Sequence, residues 1–325
     1  MIIFHKNFNE LFNLDNILSA WQIFRRGKTS KMDVKVFERH LEDNLFDLYE
    51  ELKNSEYIHR AYKFFVAFDS KKRDIHVAEI RDRIVHRLIY DYLVEMYEPL
   101  FISDSYSSRI GRGSHKAIKT FRYFAKLVSG ENHGRCFVLK CDIQKFFQSV
   151  DCDIIVHLLK QKITDEKILK IMEEVVNSFK EGIPLGNVTS QIFANIYLND
   201  FDFFVKNILK VRYYVRYNDD FVILDNNPER LSLLLEKIRD YLEKERLLKI
   251  PEHKASIRKL QWGIDFLGYT ILPNAVLLRN KTKAKMFSRA NEKNIDSYLG
   301  LLKHCNSFNL RQKLIFWVNN RVSQL

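Results

Sequence analysis

The run RYNDDFVIL, Arg216 to Leu224, sets two adjacent acids, Asp219 and Asp220, between apolar flanks. Like charges held close repel, and withdrawing them from water raises the cost. A purely structural turn would favour Gly or a single Asn here. The pair makes chemical sense when a cation sits between the carboxylates. A third acid, Asp142, ends the apolar run of CFVLKCDIQKFF, Cys136 to Phe147. Three acids on neighbouring strand ends can hold two divalent ions about 3.5–4 Å apart. Hard oxygen ligands select magnesium, or manganese as the alternative, over zinc, and substrate phosphates usually complete the shell. Any one of these acids alone reads as an ordinary turn residue, since Asp is common in turns. The strand-end acid taken with the Tyr-x-Asp-Asp pair points to metal.

The elements that must position these acids are legible from periodicity. VRYYVRY, the turn Asn218–Asp219 and DFVIL form an antiparallel hairpin. Upstream, VFERHLEDNLFDLYEEL (Val36 to Leu52) puts Phe37, Leu41, Leu45 and Leu48 on one helical face. KFFVAF (Lys63 to Phe68) is strand-like, and DSKKRDIHV (Asp69 to Val77) adds a basic turn and a second strand. RDRIVHRLIYDYLVEMY (Arg81 to Tyr97) is an amphipathic helix aligning Ile84, Leu88, Tyr92 and Met96. SYSSRIGRGSHKAIKTFRYFAKLV (Ser105 to Val128) is a Gly-Arg loop leading into a helix. DCDIIVHLLKQKI (Asp151 to Ile163) is a helix capped by an acid. GIPLGNVTSQIFANIYLNDFDFFV (Gly182 to Val205) is a Gly-Pro turn feeding a long helix. A basic helix, Glu229 to Leu248, precedes two short strands in WGIDFLGYTIL (Trp262 to Leu272), and the tail from Asn280 is helical and basic. Irregular alternation of helices and strands predicts an α+β core with helical ends.

With 325 residues, 46% of them apolar, the chain can bury a substantial core and is not disordered. Its net charge of +12 suits a polyanionic partner, most simply nucleic acid or an anionic membrane surface, although charge alone also fits a merely basic soluble protein. Nothing reads as a membrane span: LVEMYEPLF is cut by Glu95 and Glu98. The N-terminal apolar run is too short for a signal peptide. Cys136, Cys141, Cys152 and Cys305 lack zinc-ligand spacing and read as reduced thiols of a cytoplasmic protein. His86 and His115 read as helix-face residues.

YNDD, with KCDIQKFFQSVD (Lys140 to Asp151) upstream, resembles the palm of a reverse transcriptase. The remaining blocks follow that family's order. DSKKRDIHVAEIRDRIVHRLI resembles its fingers strand pair, and SYSSRIGRGSHKA its second fingers block. GIPLGNVTSQIFANIYL resembles its nucleotide-pocket block, and GIDFLGY its primer grip. The resemblance covers roughly residues 20 to 310. Where most relatives carry Gln-Gly and Ser-Pro, this chain has Leu185-Gly186 and Ser190-Gln191. The form LGNVTSQ is similar to the enzymes of diversity-generating retroelements.

The resemblance implies a right-hand polymerase fold. Residues 1–270 would supply N-terminal helices, fingers and palm, and residues 271–325 a short helical thumb. Asp142 and Asp219 would bridge two metal ions, Asp220 would complete the site, and Ile143 would add its backbone carbonyl. Folding stability or local order would then rise with magnesium. Lys71 and Arg73 would grip the triphosphate; outside this context they are a solvated basic turn. Phe147 matches the aromatic that excludes a ribose 2′-hydroxyl, although alone it reads as core. Lys254 matches a lysine that protonates pyrophosphate. Leu185, Gly186 and Gln191 would line the nucleotide pocket. Leu267, Gly268 and Tyr269 would grip the primer. Arg109 and Arg112, in a loop with Gly111 and Gly113, would meet template phosphates, with a helix N-terminus adding to the attraction. Asn218 departs from the usual Ala or Met, with little effect expected.

The function implied is RNA-dependent DNA synthesis, copying a template-repeat RNA into complementary DNA with errors at adenines. The partners would be template RNA, primer or cDNA strand, deoxynucleoside triphosphates and a small basic helical accessory protein, often pentameric, with no membrane partner. The alternatives are a reverse transcriptase of another bacterial lineage, defence-associated or group II intron-like, and an idle RNA-binding scaffold.

Overall fold

The computed structural model describes residues 6–68 and 72–322. The longer elements, in chain order, are α1 (Leu14–Arg25), α2 (Leu41–Lys53), β1 (Lys63–Phe68), β2 (Lys72–Val77), α3 (Ile80–Tyr97) and α4 (Ser114–Val128). There follow β3 (Phe137–Asp142), α5 (Cys152–Lys160), α6 (Glu166–Asn177), α7 (Val188–Tyr197), β4 (Tyr214–Tyr217) and β5 (Asp220–Asp225). The last are α8 (Pro228–Arg246), β6 (Ala255–Lys259), β7 (Ile264–Phe266), β8 (Tyr269–Ile271), β9 (Val276–Leu278), α9 (Asn280–Arg289), α10 (Ile295–Leu302) and α11 (Phe308–Val322). Helices and antiparallel strands thus mix as the α+β reading requires.

Two interleaved compact units result. The first comprises residues 1–103, 143–204 and 240–249; the second comprises 104–142, 205–239 and 250–325. The boundary expected at residue 270 falls inside β8, which pairs with β7 on one side and β9 on the other.

In the first unit α3 packs against α1, α2 and α7. Its buried residues therefore exceed the single stripe predicted: Val85, Ile89 and Leu93 are buried beside Ile84, Leu88, Tyr92 and Met96. Each large apolar side chain so buried contributes roughly 1.5–3 kcal/mol. The acid cap expected at Asp151 is present, and Asp165 supplies a second one. Asp151 accepts from the Ile154 N–H at the start of α5, and Asp165 accepts from Lys167 and Ile168 at the start of α6. The one helix predicted through Val36–Leu52 is instead two, Met32–Glu38 and α2, broken at Arg39–His40. Glu42 and Asp43 then sit in the first turn of α2, where the helix dipole favours acids.

The second unit holds a four-stranded antiparallel sheet in the order β4-β5-β3-β6 and a three-stranded sheet β7-β8-β9. Val138, Val222 and Leu224 of the larger sheet share a core with Phe121 of α4, Phe266 and Ile271 of the smaller sheet, and Met286, Leu302 and Leu314 of the C-terminal helices. Residues after 270 are thus part of the core that supports the sheet.

Candidate active site

The acid-bearing hairpin is the tight one expected. β4 ends at Tyr217 and β5 starts at Asp220, leaving Asn218 and Asp219 as the turn. Asn218 has φ +60°, a left-handed conformation that Asn tolerates better than Ala or Met. The unusual residue at this position therefore suits its backbone.

Register does the rest. In the β3–β5 ladder Asp142 lies directly opposite Asp220, so the two side chains leave the sheet on one face. The same face carries Val138, Val222 and Leu224 further along, all buried. The acids therefore stand at the end of an apolar face that leaves the Asp220 side chain 23% exposed and the Asp142 side chain 41% exposed. On the other side of β3, Cys141 pairs with Ala255, the first residue of β6. That register brings Lys254, one residue earlier, to Asp142, and its ammonium donates to Asp142 Oδ1.

Electrostatics follow from this crowding. Burial pushes the Asp220 carboxyl up to about 7; the charges of Asp142 and Asp219 add to the rise and Lys140 opposes it. Asp219 is likewise raised, by burial first and by the Asp142 charge, against hydrogen bonding and the cations Lys254 and Arg216. Lys140 Nζ lies 3.7 Å from Asp220 Oδ2 and donates to the Asp265 carbonyl at 2.7 Å. Asp220 Oδ1 is buried and has no hydrogen-bond partner among the described residues. An unpartnered carboxylate oxygen is costly unless something cationic meets it. Among the described residues no three acid, His or Cys side chains already form a metal-ligand group, and lysine ammoniums neutralise part of the charge. The donor set, all carboxylate oxygen with one oxygen orphaned, fits a hard divalent cation.

A pH dependence follows. A carboxyl raised in the fold contributes stability that is complete below the ordinary value and is lost as pH rises through the raised one. In chelator, the melting advantage of Asp220→Asn over the parent should widen between about pH 4 and about pH 8. Magnesium should reverse it, because only the parent keeps the carboxylate. Parallel melting curves in both conditions would contradict this charge balance.

Two residues outside the sequence reading complete the hairpin: Lys140, already described, and Arg216. Arg216 is fully buried, yet its Nη1 donates to the Asn218 carbonyl at 3.2 Å and its Nη2 to Ser105 Oγ at 3.1 Å. Its backbone joins the segment 104–106 in a parallel bridge. The cation thus braces the turn from beneath.

Of the other expected residues, Lys71 lies outside the described ones, and Arg73 falls in β2 with its backbone opposite Ala67. In the first unit, Lys145 adopts φ +46°, after which Phe146 is buried and Phe147 half-exposed. The Ile183 N–H donates to the Phe147 carbonyl at 2.8 Å. A Cβ at Gly182 would lie 2.1 Å from that same carbonyl oxygen, so only glycine permits the approach. The Phe147 segment and the start of the LGNVTSQ block are therefore tied together. Within that block Leu185 is half-buried, while Gly186 and Gln191 are exposed. Asn187 and Thr189 turn inward instead. Thr189 Oγ1 lies 2.7 Å from His86 Nδ1, and Asn187 Nδ2 donates to the Tyr62 hydroxyl at 2.9 Å and lies 3.3 Å from His86 Nε2. His86 also meets His59, Nε2 to Nε2, at 3.1 Å, and burial pushes His86 down to about 3. It is a neutral core group. Ile143, also in the first unit, is fully buried.

In the second unit, Leu267 and Gly268 form the two-residue turn between β7 and β8, with φ +48° and +88°. Positive φ at both positions is the hairpin turn that twists with its strands, and Gly supplies it without strain. Leu267 tolerates it while packing against the core. The Tyr269 ring is buried and its hydroxyl donates to the Leu301 carbonyl at 3.0 Å, so this side chain holds the turn's base and does not reach out. Arg109 Nη1 donates to the Ser105 carbonyl at 2.9 Å, and Arg112 stacks over Tyr106 at 5.9 Å.

Residues 63–271 match the family model "Reverse transcriptase (RNA-dependent DNA polymerase)". The chain belongs to the reverse transcriptase family. Protein YkfC of Escherichia coli is 25% identical over 246 residues, covering 63% of this reverse transcriptase chain and 64% of that protein. The group II intron-encoded protein LtrA of Lactococcus lactis is 24% identical over 236 residues, covering 67% of this chain and 38% of LtrA. The chain thus spans less than two thirds of either relative. Among solved structures, apo telomerase from Candida tropicalis shares the fold with a TM-score of 0.51 at 13% identity, covering 69% of this chain and 48% of that one. No helix among the described residues is long and apolar enough to cross a membrane.

Proposed function

We propose that this reverse transcriptase is a two-metal RNA-directed DNA polymerase of the diversity-generating retroelement type, acting in the cytoplasm. The observation that carries the polymerase reading is the facing pair Asp142 and Asp220, beside Asp219, with one buried carboxylate oxygen left unpartnered. Asp142 and Asp219 would hold two magnesium ions, and Asp220 would complete the set. When bound, the ions would supply activation of a primer 3′-hydroxyl and neutralisation of departing pyrophosphate. Lys254, which donates to Asp142 Oδ1, would deliver a proton to the leaving group. Lys71 and Arg73 would grip the triphosphate, while the half-exposed Phe147 would exclude a 2′-hydroxyl. The second unit would serve as palm, with the helices after residue 271 as a short thumb and its Leu267–Gly268 turn as primer grip. Template RNA and deoxynucleotides would be the substrates, with a small basic helical protein, often pentameric, as accessory partner.

The retroelement reading rests on Leu185 and Gln191. Leu185 presents a branched apolar side chain where a Gln could hydrogen-bond a nucleotide. Loss of a directional contact reduces discrimination between substrates. Leu185→Gln should therefore lower misincorporation opposite template adenine by about tenfold in sequenced extension products. An unchanged error spectrum would count against the role given to Leu185.

The similarity to LtrA favours a second reading, a group II intron-like enzyme. Sequenced products of extension on one RNA template separate the two: errors concentrated at adenines support the first, and evenly accurate copying supports the second.

A further inference from the structure

The second unit contains a cavity of about 470 Å³ that shares no residue with the acid site. His115, Lys119 and Arg122 line it from one face of α4, and Lys303 and His304 line it from the turn after α10. No carboxylate lines it. Among the described residues none of Lys119, Arg122 and Lys303 has an ion-pair partner, whereas Lys126 on the same helix pairs with Glu131 at 3.5 Å.

The two histidines sharpen the picture. Their rings stack with centroids 3.5 Å apart and planes 17° from parallel. The Tyr269 hydroxyl has one proton and gives it to Leu301, so it accepts from His115 Nε2–H at 3.1 Å. His115 Nδ1 is then bare in the neutral ring. Burial, His304 and Lys119 all push His115 down. The cavity therefore gathers Lys119, Arg122 and Lys303 with no carboxylate to offset them, and an anion would relieve their mutual repulsion.

We propose that this cavity seats successive phosphodiester groups of an RNA strand. Inorganic phosphate would satisfy the same chemistry. However, the row from His115 to Arg122 runs about 10 Å along the helix, longer than a single ion needs. RNA as the polyanion rests on the polymerase reading; the binding itself needs no magnesium, primer or nucleotide, so it fails or succeeds independently of extension.

The test is fluorescence anisotropy of a labelled single-stranded RNA with the full chain, in chelator, across a salt series. The variant Lys119→Gln/Arg122→Gln/Lys303→Gln is compared with the charge-matched Lys237→Gln/Lys244→Gln/Lys249→Gln. Losing three phosphate contacts should flatten the slope of log affinity against log salt by about 2 and weaken low-salt binding about tenfold or more. The charge-matched variant should lose far less. On the unaltered chain, ring-proton resonances of His115 and His304 should shift on adding RNA. Equal losses in both variants, or none in either, would overturn the proposal. So would histidine shifts with inorganic phosphate but none with RNA, which would make the cavity a free-ion site.

Discussion

Asp219→Asn should reduce primer extension by about a thousandfold or more while leaving the fold as stable as before, or more stable, in chelator. The two halves of that result come from one cause. Asp219 is held where burial and the Asp142 charge both disfavour its ionised form. Replacing it with a neutral amide of nearly the same shape removes that cost. The same replacement removes a hard anionic oxygen from the set that would hold the metal. Magnesium should accordingly raise the melting temperature of the parent by mass action and leave the variant nearly unmoved. A turn acid with a merely structural role would behave in the opposite way, losing stability and keeping most activity. Extension within tenfold of the parent would remove Asp219 from the chemistry.

Arg216→Met should destabilise the protein by about 3–5 kcal/mol, the range for breaking a buried charged network, when measured by denaturant unfolding. Methionine fills similar volume, so the loss reports the hydrogen bonds and not a cavity. Arg216 is fully buried and holds both the Asn218 carbonyl at the acid turn and Ser105 Oγ. Without it the carbonyl and the hydroxyl each lose a charged donor. Asp219 also loses a nearby cation that favours its ionised form. Extension should therefore fall by more than the loss of folded protein explains. Arg216→Lys should recover only part of either quantity, because an ammonium cannot span two acceptors as a guanidinium fork does. A change below about 1 kcal/mol would mean that the turn is braced by something else.

The hairpin and its acids were legible because alternation, a two-residue turn and adjacent like charges are all local signals. Lys140 and Arg216 were not, since both read as ordinary strand residues. Their significance comes from cross-strand register and from the segment 104–106, which lies about a hundred residues away in the chain. The strand β6 was missed for a related reason. Ala255–Lys259 is short and mostly exposed or half-exposed, and only pairing with β3 fixes it as a strand. That pairing brings Lys254 to Asp142, whereas in the sequence Lys254 is marked only by its resemblance to a pyrophosphate-protonating lysine. The break at Arg39–His40 lay hidden inside a continuous apolar stripe. The inward turn of Asn187 and Thr189 depends on a buried histidine of α3, and their polar character alone suggested nothing of it. Tyr269 shows the converse. Resemblance places it in the primer grip, and the structure adds that its ring is in the core with its hydroxyl on Leu301.

Convergence of Asp142, Asp219 and Asp220 on a shared pair of ions is the claim on which the rest depends. It is tested most directly by diffraction from crystals soaked in manganese, using the anomalous signal to locate the ions. The expected result is manganese bonded to carboxylate oxygens of all three residues, with the Lys254 ammonium displaced from Asp142. Manganese absent from these residues at saturating concentration, with Lys254 still bound to Asp142, would contradict it.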